Sequence, residues 1–222
     1  MRKLLFALLL LMPFTFCKAQ TLVYPSTHHS LDLGFSAGTC LYMGEYDWEA
    51  GFKDWWSFPA LDFSATYWVT RCIGVGGDVF FRKYKGLGSP EDIKATFGRT
   101  GDPMYGGTAY SQATGSYMGF VANGCLDVTR LFHWDVRGEF RFVMFVGAGA
   151  VVAMKAATHA MDWTAQGGFR GQWKLTDQWD LDATVTGSLI SDKFDGEYGP
   201  VSDNNIPIDG TMAFLLGFTY KL

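Results

Sequence analysis

From Leu31 to the last residue the chain is patterned with a period of two. Leu31, Leu33, Phe35, Ala37, Thr39 and Leu41 alternate with Asp32, Gly34, Ser36, Gly38, Cys40 and Tyr42. The same rhythm returns over 61–69, 73–82, 118–128, 146–152, 163–173, 179–189 and 211–222. A strand points successive side chains to opposite faces, so this alternation reads as β-structure with one apolar and one polar face. Eight such segments are present, each near the ~9–11 residues that a tilted membrane strand needs. No helix of useful length competes, and past residue 20 no apolar run is long enough for a spanning helix.

Composition narrows the alternatives. Of the 222 residues 48% are hydrophobic and only 18% charged, with 27 Gly, 8 Trp, 10 Tyr and 19 Phe. So many aromatics and so little charge exclude a disordered chain. An acidic balance, 22 Asp+Glu against 18 Lys+Arg, excludes a basic nucleic-acid binder.

Residues 1–19 read as a secretory signal peptide. Arg2 and Lys3 precede an apolar stretch over 4–16, and Cys17-Lys18-Ala19 offers a small-x-small cleavage site before Gln20. Removal of Arg2, Lys3 and Lys18 takes the 18 basic residues to 15 against 22 acidic ones, a net −7. It also leaves Cys40, Cys72 and Cys125, an odd number that does not suit a disulfide scaffold. No Cys/His spacing points to zinc, and no cofactor motif is present. Gly147-Ala148-Gly149 lacks the following helix that a nucleotide loop requires.

Residues 20–222 form one domain in this reading: an all-β, eight-stranded antiparallel up-and-down transmembrane β-barrel. Connections alternate in length. Those near Thr70-Arg71 and over 174–177 are tight and that over 130–138 is intermediate; 43–57, 85–114 and 191–209 are long and polar, and 155–161 is short. Outer-membrane barrels have short periplasmic turns and longer external loops, which puts both termini in the periplasm. A soluble sandwich or lipocalin-like barrel also alternates, with the apolar phase inside. Aromatics at the strand ends favour the membrane. Tyr42, Tyr46, Trp48, Trp55, Trp56, Phe58, Phe81, Tyr84, Tyr117, Trp163, Phe194 and Tyr198 are expected at the outer rim. Tyr67, Trp68, Phe132, Trp134, Trp173, Trp179, Phe218 and Tyr220 are expected at the inner one.

Several short segments carry a family likeness through their order and spacing. They are Phe58-Pro59-Ala60-Leu61-Asp62, Tyr117-Met118-Gly119-Phe120, Phe145-Val146-Gly147-Ala148-Gly149, Lys174-Leu175-Thr176-Asp177, Asp192-Lys193-Phe194-Asp195-Gly196 and Gly217-Phe218-Thr219-Tyr220-Lys221. With them the mature chain resembles the small outer-membrane β-barrel proteins of the Bacteroidales, similar in architecture to the OmpA N-terminal barrel and without the peptidoglycan-binding domain of many relatives. The resemblance implies an integral outer-membrane protein of a Gram-negative envelope. The end Phe214…Phe218-Thr219-Tyr220-Lys221-Leu222 resembles the strand signal read by the outer-membrane assembly machinery, with Leu222 where that signal usually ends on Phe.

With the polar phases inside, Asp32, Asp127, Arg141, Arg170, Asp180, Asp182 and Lys221 meet near the periplasmic end as a lumen charge network. In a narrow barrel such side chains fill the interior, and buried charges must be paired. A gated ion path through Arg141, Arg170 and Asp182 is the sharper alternative. Gly34, Gly38, Gly74, Gly76, Gly147 and Gly149 leave room for long side chains in the same space. Cys72 and Cys125 share the inward phase of adjacent strands, which admits a cross-strand disulfide if their Cα atoms are close.

The expected role is non-enzymatic: structure or surface interaction in the envelope, or a subunit of a membrane complex. Its partners are then the outer-membrane bilayer, the assembly machinery, complex partners or a surface ligand, and not nucleic acid. A narrow pore or small-solute transporter is the alternative. An outer-leaflet lipid-modifying enzyme using His159 with Ser188 or Ser191 is remote, since no catalytic motif supports it.

Overall fold

The computed structural model describes residues 30–43, 56–88, 104–105, 108–109, 111–134, 139–154, 161–191 and 208–222. Its strands are β1 (Ser30–Met43), β2 (Trp56–Trp68), β3 (Ile73–Gly88), β4 (Met104–Tyr105), β5 (Thr108–Ala109), β6 (Ser111–Asp127), β7 (Phe140–Ala153), β8 (Met161–Lys174), β9 (Trp179–Ser191) and β10 (Ile208–Lys221). One short helix, α1 (Val128–Phe132), follows β6. The long strands close into a barrel in the order β1-β10-β9-β8-β7-β6-β3-β2, and β2 pairs with β1. All eight pairings are antiparallel. Closure leaves no edge strand, so the barrel satisfies its backbone groups within itself. The two-residue strands β4 and β5 pair only with each other.

Several boundaries differ from the sequence expectation. β2 begins at Trp56 because Pro59 is absorbed in a register shift, where Gly38 faces Ala60 but Cys40 faces Ser57. Thr39 of β1 thus opposes both Phe58 and Pro59 of β2, and a bulge is where a strand tolerates proline. β3 and β6 stay paired out to Gly88↔Ser111, which shortens the expected 85–114 connection at both ends. β6 stops at Asp127, whose carboxylate caps α1 by accepting from Arg130 N, so Val128 starts a helix instead of ending a strand.

The two phases face opposite ways. Phe63, Val75, Phe120, Val146, Leu189 and Leu216 stand exposed on the outside. Asp32, Asp62, Asp78, Asn123, Gln166, Asp182 and Thr219 are buried inside. This inverts a soluble barrel.

The interior is not polar throughout. Toward the ends bearing the long connections, Tyr42, Phe80, Tyr84, Tyr117, Val121, Val151, Ala153 and Ile190 form a buried apolar cluster. Tyr42 lies 5.0 Å from Tyr84, and Tyr84 lies 6.1 Å from Tyr117, centroid to centroid. These three tyrosines, expected in the outer aromatic belt, point inward, and so does Trp68 at the other end. The reason is their phase: each shares the register parity of an inward acid on its own strand, and a residue cannot change face without shifting the whole strand. Phe58, Trp163, Tyr67, Phe132, Trp134, Trp173, Trp179 and Phe218 are exposed. Tyr46, Trp48, Trp55, Phe194 and Tyr198 lie outside the described residues, as do residues 1–29 with the signal segment.

Packing is tight enough that glycine is required at some inward positions. A Cβ on Gly119 would run into the Phe80 ring, and one on Gly147 into Asn123 Oδ1 and the Ala122 carbonyl.

Candidate functional site

The turn end of the interior is organised around Arg141. Its Nη1 stands 3.1 Å from Asp32 Oδ2 and its Nε donates to Asp127 Oδ2 at 3.0 Å. The guanidinium lies over the Trp68 ring, 4.6 Å from the centroid, while Trp68 Nε1 donates to Asp32 Oδ2 at 2.6 Å. All four side chains are buried. Asp127 Oδ1 also accepts from Thr129 Oγ1 at 2.7 Å and Arg130 N at 2.9 Å. Thr129 Oγ1 in turn accepts from Phe142 N at 2.8 Å. One carboxylate therefore fixes a buried guanidinium and starts the helix beneath it. Burial strips these charges of water, so such geometry is needed to offset the desolvation cost.

The remaining expected members separate into smaller groups. Lys221 Nζ pairs with Asp180 at 2.6 Å to Oδ2 and 2.7 Å to Oδ1. Asp182 is held by neutral donors: Gln172 Nε2 at 3.2 Å and the Thr219 hydroxyl. Arg170 forms no ion pair with the other six; its Nε donates to Thr184 Oγ1 at 3.4 Å and its guanidinium lies 5.7 Å from the Phe145 ring centroid. Register explains this. Arg170 sits opposite Thr184 on β9 and Val143 on β7, whereas Asp182 sits opposite Gln172. The seven residues share one interior but not one network.

Further groups were absent from the sequence expectation. Asp78 Oδ2 accepts from Asn123 Nδ2 at 2.6 Å and Gln166 Nε2 at 3.0 Å. Arg82, wholly buried, stands 3.6 Å from Asp62 and 4.5 Å from the Phe80 ring centroid, and its Nη1 is 3.4 Å from Ser188 Oγ. Gln172 and Trp68 complete the list. All occupy the inward phase of their strands, so following the phase through Asp62, Trp68, Asp78 and Arg82 would have found them.

Cys40, Cys72 and Cys125 are buried thiols with no disulfide among them. The Cys72–Cys125 bridge that the shared phase admitted is not formed: Cys125 faces Gly74 across β3 and Cys72 lies in the turn beyond Ile73↔Leu126. Ser188 faces the buried Arg82, and His159 lies outside the described residues. Among the described residues no three His, Cys, Asp or Glu side chains are placed to hold a metal ion.

The fold and site define a class: a closed eight-stranded antiparallel barrel with an apolar exterior and an interior filled by hydrogen-bonded charges below and aromatic rings above. No family model matches the chain, and no curated protein does. Solved structures of similar shape include Neisserial surface protein A, at 10% identity over 87% of this chain and 96% of that one, TM-score 0.48. The N-terminal β-barrel domain of Pseudomonas aeruginosa OprF matches at 11% over 86% and 97%, TM-score 0.44. The attachment invasion locus protein Ail of Yersinia pestis matches at 13% over 87% and 97%, TM-score 0.42. At these identities and scores the likeness is one of shape.

Proposed function

We propose that this chain is an integral outer-membrane β-barrel with a structural or surface-interaction role in a Gram-negative envelope and no enzymatic activity. The observation that carries the reading is the inversion of the barrel. Val146, Leu216, Phe63 and Phe120 are exposed by more than half, while Asp32, Asp78, Asp127, Arg141 and Asp182 are buried inside and hydrogen-bonded. Burying apolar surface is worth about 25 cal/mol per Å², so a girdle of such residues is stable against lipid and a liability in water. Every barrel strand has at least 13 residues, enough to cross a bilayer tilted.

The filled interior supports a sealed barrel over a pore or solute transporter. Arg141, Trp68 and Phe145 occupy one end and the tyrosine cluster the other. Residues 1–19 act as a cleaved signal in this reading, with the mature chain starting at Gln20, and β10 is the segment offered to the assembly machinery. The tight turns at 69–72 and 175–178 share the end of the barrel that holds Ser30 and Leu222, which suits periplasmic termini and external loops.

Expression in a Gram-negative host tests the whole reading. The protein is expected in the outer-membrane fraction, to begin at Gln20, and to migrate differently on a gel when boiled and unboiled. Identical migration, or recovery in the soluble fraction, would overturn it.

A further inference from the structure

Buried carboxylates need a counter-charge, and the described side chains inside this barrel leave one without it. Asp62 stands against Arg82, Asp180 against Lys221, and Asp32 and Asp127 against Arg141 and Arg130. Asp78 and Asp182 remain, two acids held by neutral donors, with Arg170 as the one described cation left inside. The other described charges lie elsewhere. Arg71, Glu139, Lys174 and Asp177 stand at the turns, Lys83 and Lys85 on the outer phase of β3, and Asp162 at the loop end of β8. Two acids against one base is a surplus of one negative charge.

Asp78 is only 3% exposed, and no described cation stands within ion-pair distance of it. Its Oδ2 accepts from Asn123 Nδ2 at 2.6 Å and from Gln166 Nε2 at 3.0 Å. A carboxylate only accepts, so both carboxamides must turn their N–H groups toward it and their oxygens away. Flipping either amide would set oxygen against oxygen. The oxygens so directed, Asn123 Oδ1 and Gln166 Oε1, are buried and have no hydrogen-bond partner. Both residues are more than nine-tenths buried. Gly147 faces Asn123 on β6 and Gln166 on β8, and it puts no side chain between them. Asn123 Oδ1 takes the place that a Gly147 side chain would fill. Two orphan oxygens are thus each joined, through their own amide, to the same unpaired carboxylate.

We propose that Asn123 and Gln166 bind one monovalent alkali cation inside the barrel, with Asp78 as its counter-charge. A water molecule satisfies amide oxygens as well, but it leaves the surplus charge in place; a cation answers both. Hard oxygen donors suit a hard cation, and no cluster of three His, Cys, Asp or Glu is present among the described residues to favour a transition metal. One surplus charge matches a monovalent ion and not a divalent one. A cation on each amide oxygen polarises the amide and strengthens its N–H donation to Asp78. The ion then ties β3, β6 and β8 together between the Arg141 group and the tyrosine cluster. The site needs only the closed barrel, so its failure and that of the envelope role are separate.

The test refolds the mature protein into detergent in sodium chloride, potassium chloride or choline chloride at equal ionic strength, choline being too bulky for the site. An alkali cation is expected to raise the unfolding temperature saturably, by roughly 3–5 °C at ten times its dissociation constant. Asp78→Asn and Gln166→Met are each expected to lose this difference, and Lys174→Met, on the outer turn, to keep it. Boiled and unboiled gel migration shows which variants fold. Wild-type crystals grown with thallium(I) are expected to show anomalous density beside Asn123 Oδ1 and Gln166 Oε1, a readout that needs no variant. Equal unfolding temperatures of the wild type in all three salts would overturn the site, as expected if water alone meets the amides or a proton rests on Asp78. Thallium density without a salt effect would overturn it as binding at crystal concentration only. Density at Asp180 or Asp182 in place of the amides would overturn it as well.

Discussion

Arg141 on β7 reaches across the barrel to Asp32 on β1, 3.1 Å from Nη1 to Oδ2, although 109 residues separate the two in the chain. The pair joins the first strand to the middle of the chain through the interior and not through the sheet. Removing Arg141 leaves the buried Asp32 carboxylate without its cation and Asp127 with Arg130 alone. Breaking such a pair on one side costs about 3–5 kcal/mol. Arg141→Met is therefore expected to lower the urea midpoint of unfolding in detergent by that equivalent, and adding Asp32→Asn should recover part of the loss.

Arg170 stands apart from the charge pairs, with Thr184 as its polar partner and Phe145 beneath it. A conduction path through it would need an open interior, and the tyrosine cluster is buried inside the barrel toward the loop end. Wild type and Arg170→Met are expected to give the same near-zero conductance in planar bilayers. A conductance in the wild type that Arg170→Met abolishes would restore the ion path.

Gly119 lies against the far end of the Phe80 ring, with no room for a Cβ. Gly119→Leu is expected to destabilise the barrel by roughly 1–3 kcal/mol through overpacking. Phe80→Ala in the same chain should relieve much of that penalty by opening the space. Thermal unfolding of the two single variants and the double variant measures the coupling.

The Lys174–Asp177 pair lies on an exposed turn. The hydrogen bond from Lys174, and then its charge, hold the Asp177 carboxyl below its ordinary range. Because the folded value is depressed, any stability from this pair is present above the ordinary carboxylate range and lost as pH falls through the folded value. Full exposure keeps that contribution small. Lys174→Met is expected to return the Asp177 titration, followed by NMR, toward the ordinary value.

The alternation of residues was enough to define β-structure, the eight strands of the barrel and which residues of a strand share a face, but not which face points outward. Side-chain period is a local property of extended backbone, legible one strand at a time. It placed Asp32, Asp127, Arg141, Asp180, Asp182 and Lys221 inside, and read consistently it would have placed Trp68, Arg82, Tyr42, Tyr84 and Tyr117 there too. Aromatic character at a strand end was the weaker signal, because it does not distinguish a ring facing lipid from one sealing the interior. Which inward residues meet was decided only by tertiary structure. Closure of β1 on β10 and β2, together with the stagger between neighbouring strands, sets Arg141 against Asp32, leaves Arg170 beside Thr184, and puts Gly74 instead of Cys72 across from Cys125. The helix at Val128–Phe132 also depended on a contact between strands, since Asp127 caps it while held by Arg141 from β7. Period sets the face, but only the closed, staggered sheet sets the height and the partner across the lumen.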